Sequence, residues 1–143
     1  MASRSVTEEE DASELKLGEE FQRAKCLMNA EVVTILEHKV RQLQEILGED
    51  DPTATQISNV FDKSLAYVKR FSHYRNPEAV KQVRESLSRR GLAEFEICVI
   101  GNLVPDTVEE AKTLVPTLAQ EGRFDDDAIE SIVREIDNLK KFE

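Results

Sequence analysis

The sequence predicts a mainly α protein: an N-terminal extended arm, one long helix, then a bundle of shorter helices. Three observations lead there. Proline and glycine number only 4 and 5 in 143 residues, too few for the turns of a β fold. Apolar residues recur at three- and four-residue steps through most of the chain after residue 29. Helix stop and start signals (Gly48, Asn76-Pro77, Gly91, Pro105, Pro116) punctuate that pattern.

Taken in order, residues 1–13 (MASRSVTEEEDAS) are acidic, lack an apolar run and are expected to be a disordered tail. They fit neither a signal peptide nor a transit peptide. Residues 14–52 read as a partner-binding arm and first helix. Leu15 and Leu17 alternate with Glu14 and Lys16, as a strand edge would, and Gly18 breaks any helix there. Residues 24–28 read as a second short strand. Asn29 is the expected N-cap, with Glu31 in the first turn to suit the dipole. The helix spans 30–47 with the face Val32, Val33, Leu36, Val40, Leu43 and Leu47, and Gly48 stops it.

Residues 53–143 read as the bundle. Its first helix, 53–72, carries Phe61, Leu65, Val68 and Phe71 on one face, with Phe71 expected in the core. Asn76 caps the next, 77–90, and Pro77 suits its first position, where no amide hydrogen is needed. Val80, Val83 and Leu87 form its face, and Gly91 ends it. A helix at 93–103 carries Phe95, Cys98, Val99 and Leu103 and stops at Pro105. Thr107 and Glu110 make a capping box for a short helix that stops at Pro116. Asp residues in the 122–127 loop cap the last helix, which carries Ile129, Ile132, Val133, Ile136 and Leu139.

Charge narrows the function. A net charge of −10 argues against a general nucleic-acid binder. Residues 69–90 run the other way, with 7 basic and 2 acidic side chains. Lys69, Arg70, Arg75, Lys81, Arg84, Arg89 and Arg90 interleave there with Tyr67, Phe71 and Tyr74, an arrangement used by single-strand binders. A solvated face paired with the acidic flanks explains the block as well, so it is a weak nucleic-acid candidate.

Catalysis has no support in the pattern. His38 and His73 lie in different helices without metal-ligand spacing to an acid or thiol, Asp125, Asp126 and Asp127 lack the glycine and spacing of a calcium loop, and no Ser or Thr sits in a nucleophile elbow. Cys26 and Cys98 read as reduced, buried thiols. No catalytic residue, metal site or cofactor is expected. No apolar run approaches the ~20 residues that span a bilayer, so the expectation is a soluble intracellular protein without membrane contact. The arm is different: an isolated strand pair is barely stable in water. Its apolar residues Leu15, Leu17, Phe21 and Leu27 either fold back on the chain's own bundle or complete a sheet in another protein, and the second is favoured because strand addition supplies the hydrogen bonds that an edge lacks. Val33, Leu36 and Val40 of the first helix would face the same partner.

Five segments in order, ELKLGEEF, CLMNAEV with LEHK just after it, SLAYVKRFSHYRNPEAVKQVRE, EFEICVIGNLVPDTVEEAKTLVPTL and GRFDDDAI, resemble the family of fourth subunits of eukaryotic RNA polymerase II, which has an archaeal counterpart. The resemblance runs from about residue 12 to 143. It implies an arm and helix that embrace a partner, followed by a bundle similar to the HRDC domains of helicases. It implies a non-catalytic subunit and a permanent heterodimer with the seventh subunit of RNA polymerase II, whose barrel binds RNA. The pair would form a stalk on the core polymerase beside the clamp and RNA exit path. There it would act in initiation and couple to RNA processing or decay, touching nascent RNA through the heterodimer. A nuclear location with shuttling to the cytoplasm follows from the same resemblance. The alternative reading is a free-standing HRDC-like module that binds single strands through residues 69–90.

Overall fold

The computed structural model describes residues 9–48, 51 and 59–141. Among them are six α-helices: α1 (Asn29–Leu47), α2 (Asn59–Phe71), α3 (Pro77–Arg89), α4 (Glu94–Leu103), α5 (Val108–Leu114) and α6 (Asp126–Lys141). Short 3-10 turns lie at Ala12–Glu14 and Pro116–Ala119. The mainly α class is as predicted. The expected start of α2 at residue 53 and most of the acidic tail lie outside the described residues.

The core belongs to α3–α6. Ile129, Ile132, Val133 and Ile136 recur at three- and four-residue steps and are all buried. Val80, Val83 and Leu87 of α3 join them in one cluster, as do Ile97, Cys98 and Ile100 of α4, and Leu118. Tyr74 closes the α2–α3 loop over this core by donating its hydroxyl to the Ile136 carbonyl at 3.4 Å. The sequence pattern gives α4 the apolar set Phe95, Cys98, Val99 and Leu103, of which Cys98 is buried and Phe95 and Val99 are half-buried. That helix is apolar almost all round, so its period is ambiguous, and Ile97, Cys98 and Ile100 are buried while Leu103 is exposed.

One buried carboxylate organises the far side of the bundle. Glu96 is 0% exposed. It accepts from the Ala93 amide (2.8 Å), the Thr117 hydroxyl (2.5 Å) and both terminal nitrogens of Arg123 (2.7 and 2.9 Å). Burial opposes its ionisation, but the hydrogen bonds from Arg123 and Thr117 outweigh it and hold the carboxyl below the usual range. Arg123 also donates to the Thr117 carbonyl at 2.9 Å. The start of α4, the Pro116–Ala119 turn and the loop before α6 are thereby fixed together. Pro116 does not merely stop α5, as expected; it opens that 3-10 turn, on which the Ala12–Glu14 turn of the arm rests.

The arm departs from its expected strands. Among the described residues there is a single bridge, Asp11 to Lys16, and no strand. The chain reverses at Leu15, which takes φ +60°. Gln22 then closes a loop, its side chain accepting from the Leu17 amide and donating to the Leu15 carbonyl, both at 3.1 Å. Alternation over four residues was too short a signal to separate a strand from a run of turns.

Candidate partner-binding face and its anchor

The junction between arm and α1 is held tightly. Asn29, the expected N-cap, is instead the first residue of α1, and Met28 occupies the cap position. The Glu31 carboxylate accepts from the Met28 amide at 2.9 Å, and the Asn29 amide donates to the Asn102 side chain at 2.8 Å. With those amides satisfied, the Met28 side chain is free to enter the core, where it is fully buried against Gly101. A methyl group on Gly101 would overlap the Met28 sulfur.

Arg84 of α3 ties this junction down. Its Nε and Nη2 form a two-pronged pair with Glu31 at 2.7 and 2.6 Å. Nη1 reaches Glu94 at 3.1 Å, and Nη2 also donates to the Cys26 carbonyl at 2.7 Å. The same Glu94 accepts from the Cys26 amide at 3.4 Å. Glu31 raises the Arg84 pKa against the opposing effect of burial, so the guanidinium stays charged. Arm, α1, α3 and α4 therefore meet at one arginine.

Beyond that junction the chain is thinly covered. α1 packs along α2, yet only Ala30 of α1 and Val68 of α2 are buried. The predicted partner residues divide into two sets. Phe21 and Leu27 are exposed, Phe21 by 62%. Leu15 and Leu17 in the arm, and Val33, Leu36 and Val40 on α1, are half-buried. Periodicity missed Ile35 and Ile46, which are 52% and 78% exposed. They sit eleven residues apart, about three turns, and so share a stripe on the flank of the main apolar face. A helical projection of the sequence holds that signal.

The basic block does not form one surface. Arg84 is inside the junction. Arg90 pairs with Glu135 at 2.6 Å and reaches Ser131 at 3.1 Å. Lys69 pairs with Glu37 of α1 at 2.8 Å. Arg89 lies at the far end of α3 and contacts its own helix carbonyl at Glu85. Arg70, Arg75 and Lys81 remain exposed near the α2–α3 turn. Phe71, expected in the core, is exposed, whereas Tyr74 is buried and leaves the aromatic set.

Cys98 is buried, and burial pushes its thiol up to about 12 despite Arg84 nearby. Asp125 caps the start of α6 by accepting from the Ala128 amide at 2.8 Å. Among the described residues no three His, Cys, Asp or Glu side chains come together as a metal site, and no helix is long and apolar enough to cross a membrane.

The family model "RNA polymerase Rpb4" matches residues 26–140. The chain belongs to the RNA polymerase Rpb4 family. The match begins at Cys26, the residue whose amide and carbonyl enter the Arg84 junction, so the anchor lies inside the family region and Leu15, Leu17 and Phe21 lie before it. The chain is 60% identical over 140 residues to DNA-directed RNA polymerase II subunit 4 of Arabidopsis thaliana, covering 97% of this chain and 99% of that one. It is 38% identical to RNA polymerase II subunit rpb4 of Dictyostelium discoideum, covering 96% and 93%. The subunit 4 of Arabidopsis RNA polymerases IV and V is 31% identical, covering 85% of this chain and 58% of that one.

Proposed function

We propose that this Rpb4-family chain is a non-catalytic subunit of DNA-directed RNA polymerase II. In this reading it forms the stalk heterodimer with the seventh subunit, through the arm and α1. The pair sits near the clamp and RNA exit path and serves initiation and coupling to RNA processing or decay. The chain then works in the nucleus, with passage to the cytoplasm as part of the same proposal. Residues 14–52 are the partner-binding part, and residues 53–143 are the HRDC-like unit.

The supporting observation is the contrast at the arm junction. Glu31, Arg84 and Met28 fasten the start of α1 to the bundle, while Phe21, Leu27, Ile35 and Ile46 present apolar surface to water. Anchored apolar surface of that kind suits a permanent protein partner. Polymerase II is favoured over polymerases IV and V by the 60% against 31% identity of the two Arabidopsis relatives. The free-standing single-strand binder is disfavoured, because Lys69, Arg84 and Arg90 are engaged in ion pairs.

The test is affinity purification of the tagged chain from its own cells in moderate salt, with mass spectrometry of the eluate. Recovery of the seventh subunit with the large polymerase II subunits is the expected result. Recovery of the chain alone, or with nucleic acid only, overturns the proposal.

A further inference from the structure

We propose that the outer edge of α2 and the turn after it, Tyr67, Arg70, Phe71 and Arg75 with Lys81 beyond, make direct contact with single-stranded RNA. Only the choice of RNA as the nucleic acid rests on the polymerase reading above.

Tyr67 and Phe71 are one turn apart on α2 and are 59% and 46% exposed. Their ring centroids lie 4.8 Å apart with planes tilted by 48°. The Arg70 guanidinium sits 5.5 Å from the centre of the Phe71 ring. Such a cluster offers π faces and a flat cation side by side, the combination that stacks bases without reading their sequence. Core packing does not account for it. The face of α2 marked by Phe61, Leu65 and Val68 carries the helix's burial, and Tyr67 and Phe71 lie about 100° around from it.

Charge supplies the second argument. Of the seven cations in the block, the fold ties down three and sets Arg89 apart at the far end of α3. Lys69 is paired to Glu37, and Arg84 and Arg90 are paired within the bundle. Arg89 is roughly 18 Å along α3 from Pro77, at 1.5 Å per residue. Arg70, Arg75 and Lys81 are exposed and have no ion-pair partner among the described residues. In a chain of net charge −10, an exposed guanidinium against an exposed ring pair, with Arg75 four residues beyond Phe71 along the chain, marks a place for an anion with flat groups. An acidic peptide would use the cations and leave the rings idle; a single strand uses both.

The experiment titrates the purified full-length chain into a fluorescein-labelled oligouridylate, followed by anisotropy at several salt concentrations. The variants Arg70→Ala/Arg75→Ala and Tyr67→Ala/Phe71→Ala are compared with Arg134→Ala/Lys140→Ala on α6. All six side chains are exposed, and circular dichroism checks that each variant keeps its helices. The arginine pair is expected to lose at least tenfold in affinity and to flatten the salt dependence by about 1.4 in log–log slope, for two phosphate contacts. The aromatic pair is expected to lose at least fivefold, and the α6 pair to stay within twofold. Three results overturn the proposal: no binding at low salt, an aromatic variant that binds like wild type, or equal losses in the α6 control. Displacement of the RNA by a poly-glutamate peptide whose own binding needs Tyr67 and Phe71 overturns it too, and reassigns the edge to an acidic protein. Co-purification of polymerase with the same variants is read separately. Its retention alongside lost RNA binding shows that the RNA contact and the polymerase assignment stand or fall independently.

Discussion

α1 and α6 make an instructive pair. Both are long amphipathic helices, of 19 and 16 residues. α6 buries Ile129, Ile132, Val133 and Ile136 in the bundle core, packed against α3 and α5. α1 buries Ala30 alone and leaves Val33, Leu36 and Val40 half-covered and Ile35 and Ile46 in water. Periodicity says that a face is made to be covered; it does not say by what. In α6 the cover is the chain's own core. α1 is instead fastened at one end by Arg84 and Met28 and packs along α2 beyond that anchor. The bundle rests on broad apolar burial around one buried ion pair, and the arm–α1 region on Met28 and a partly exposed ion cluster, so the two should fail in different ways.

The bundle should suffer most from Arg123→Met. That change strands Glu96, fully buried, without its counter-charge, and is expected to cost about 3 kcal/mol in urea unfolding. The same carboxylate sets an acid limit. A carboxyl whose folded pKa lies below its ordinary 4.5 stabilises the fold above that pH, and the contribution fades as pH falls through the folded value. Wild type is therefore expected to lose stability below about pH 4.5, and Glu96→Gln to show a flatter profile there.

The corresponding change at the junction, Arg84→Met, is expected to cost less, about 2 kcal/mol, because its partners are partly exposed. Its signature is local: faster hydrogen exchange at residues 26–34 with α6 unchanged. Equal acceleration across α6 would show that the two regions unfold together. Gly101→Ala works on the same junction by displacing Met28 and should cost about 1–2 kcal/mol, again read as exchange near residue 28. Ile35→Asp/Ile46→Asp should change the free chain's stability by under about 0.5 kcal/mol, since both side chains are exposed. Its effect should appear only as reduced recovery of the polymerase partner. Leu36→Asp is a less clean probe of the partner surface, because Leu36 is half-buried on the apolar face of α1.

Local signals in the sequence located most of the fold. Asn76 and Pro77 at the start of α3, Gly91 past its end and Thr107 at the start of α5 each satisfy or omit a backbone group within a turn, so they are readable from neighbours. The polar contacts that matter most here are not local. Arg84 finds Glu31 across 53 residues, and Arg123 finds Glu96 across 27. In the sequence Glu31 looks like a dipole residue and Arg84 like one more surface cation. Of the apolar residues on the candidate partner face, Phe21 and Leu27 stand out in the sequence and are exposed, while Ile35 and Ile46, also exposed, lie outside the stripe that periodicity favours. Phe71 shows the same limit: it follows Val68 by three residues, but it lies about 100° around α2 from the face of Phe61, Leu65 and Val68 and is exposed.

Hydrogen exchange on the tagged chain, free and after isolation within the polymerase, tests the contrast between the two regions most directly. Added protection concentrated in residues 21–47, with α3–α6 exchanging as before, is the result this account requires. Unchanged exchange across 21–47, or protection confined to α3–α6, would contradict it and place the partner on the bundle.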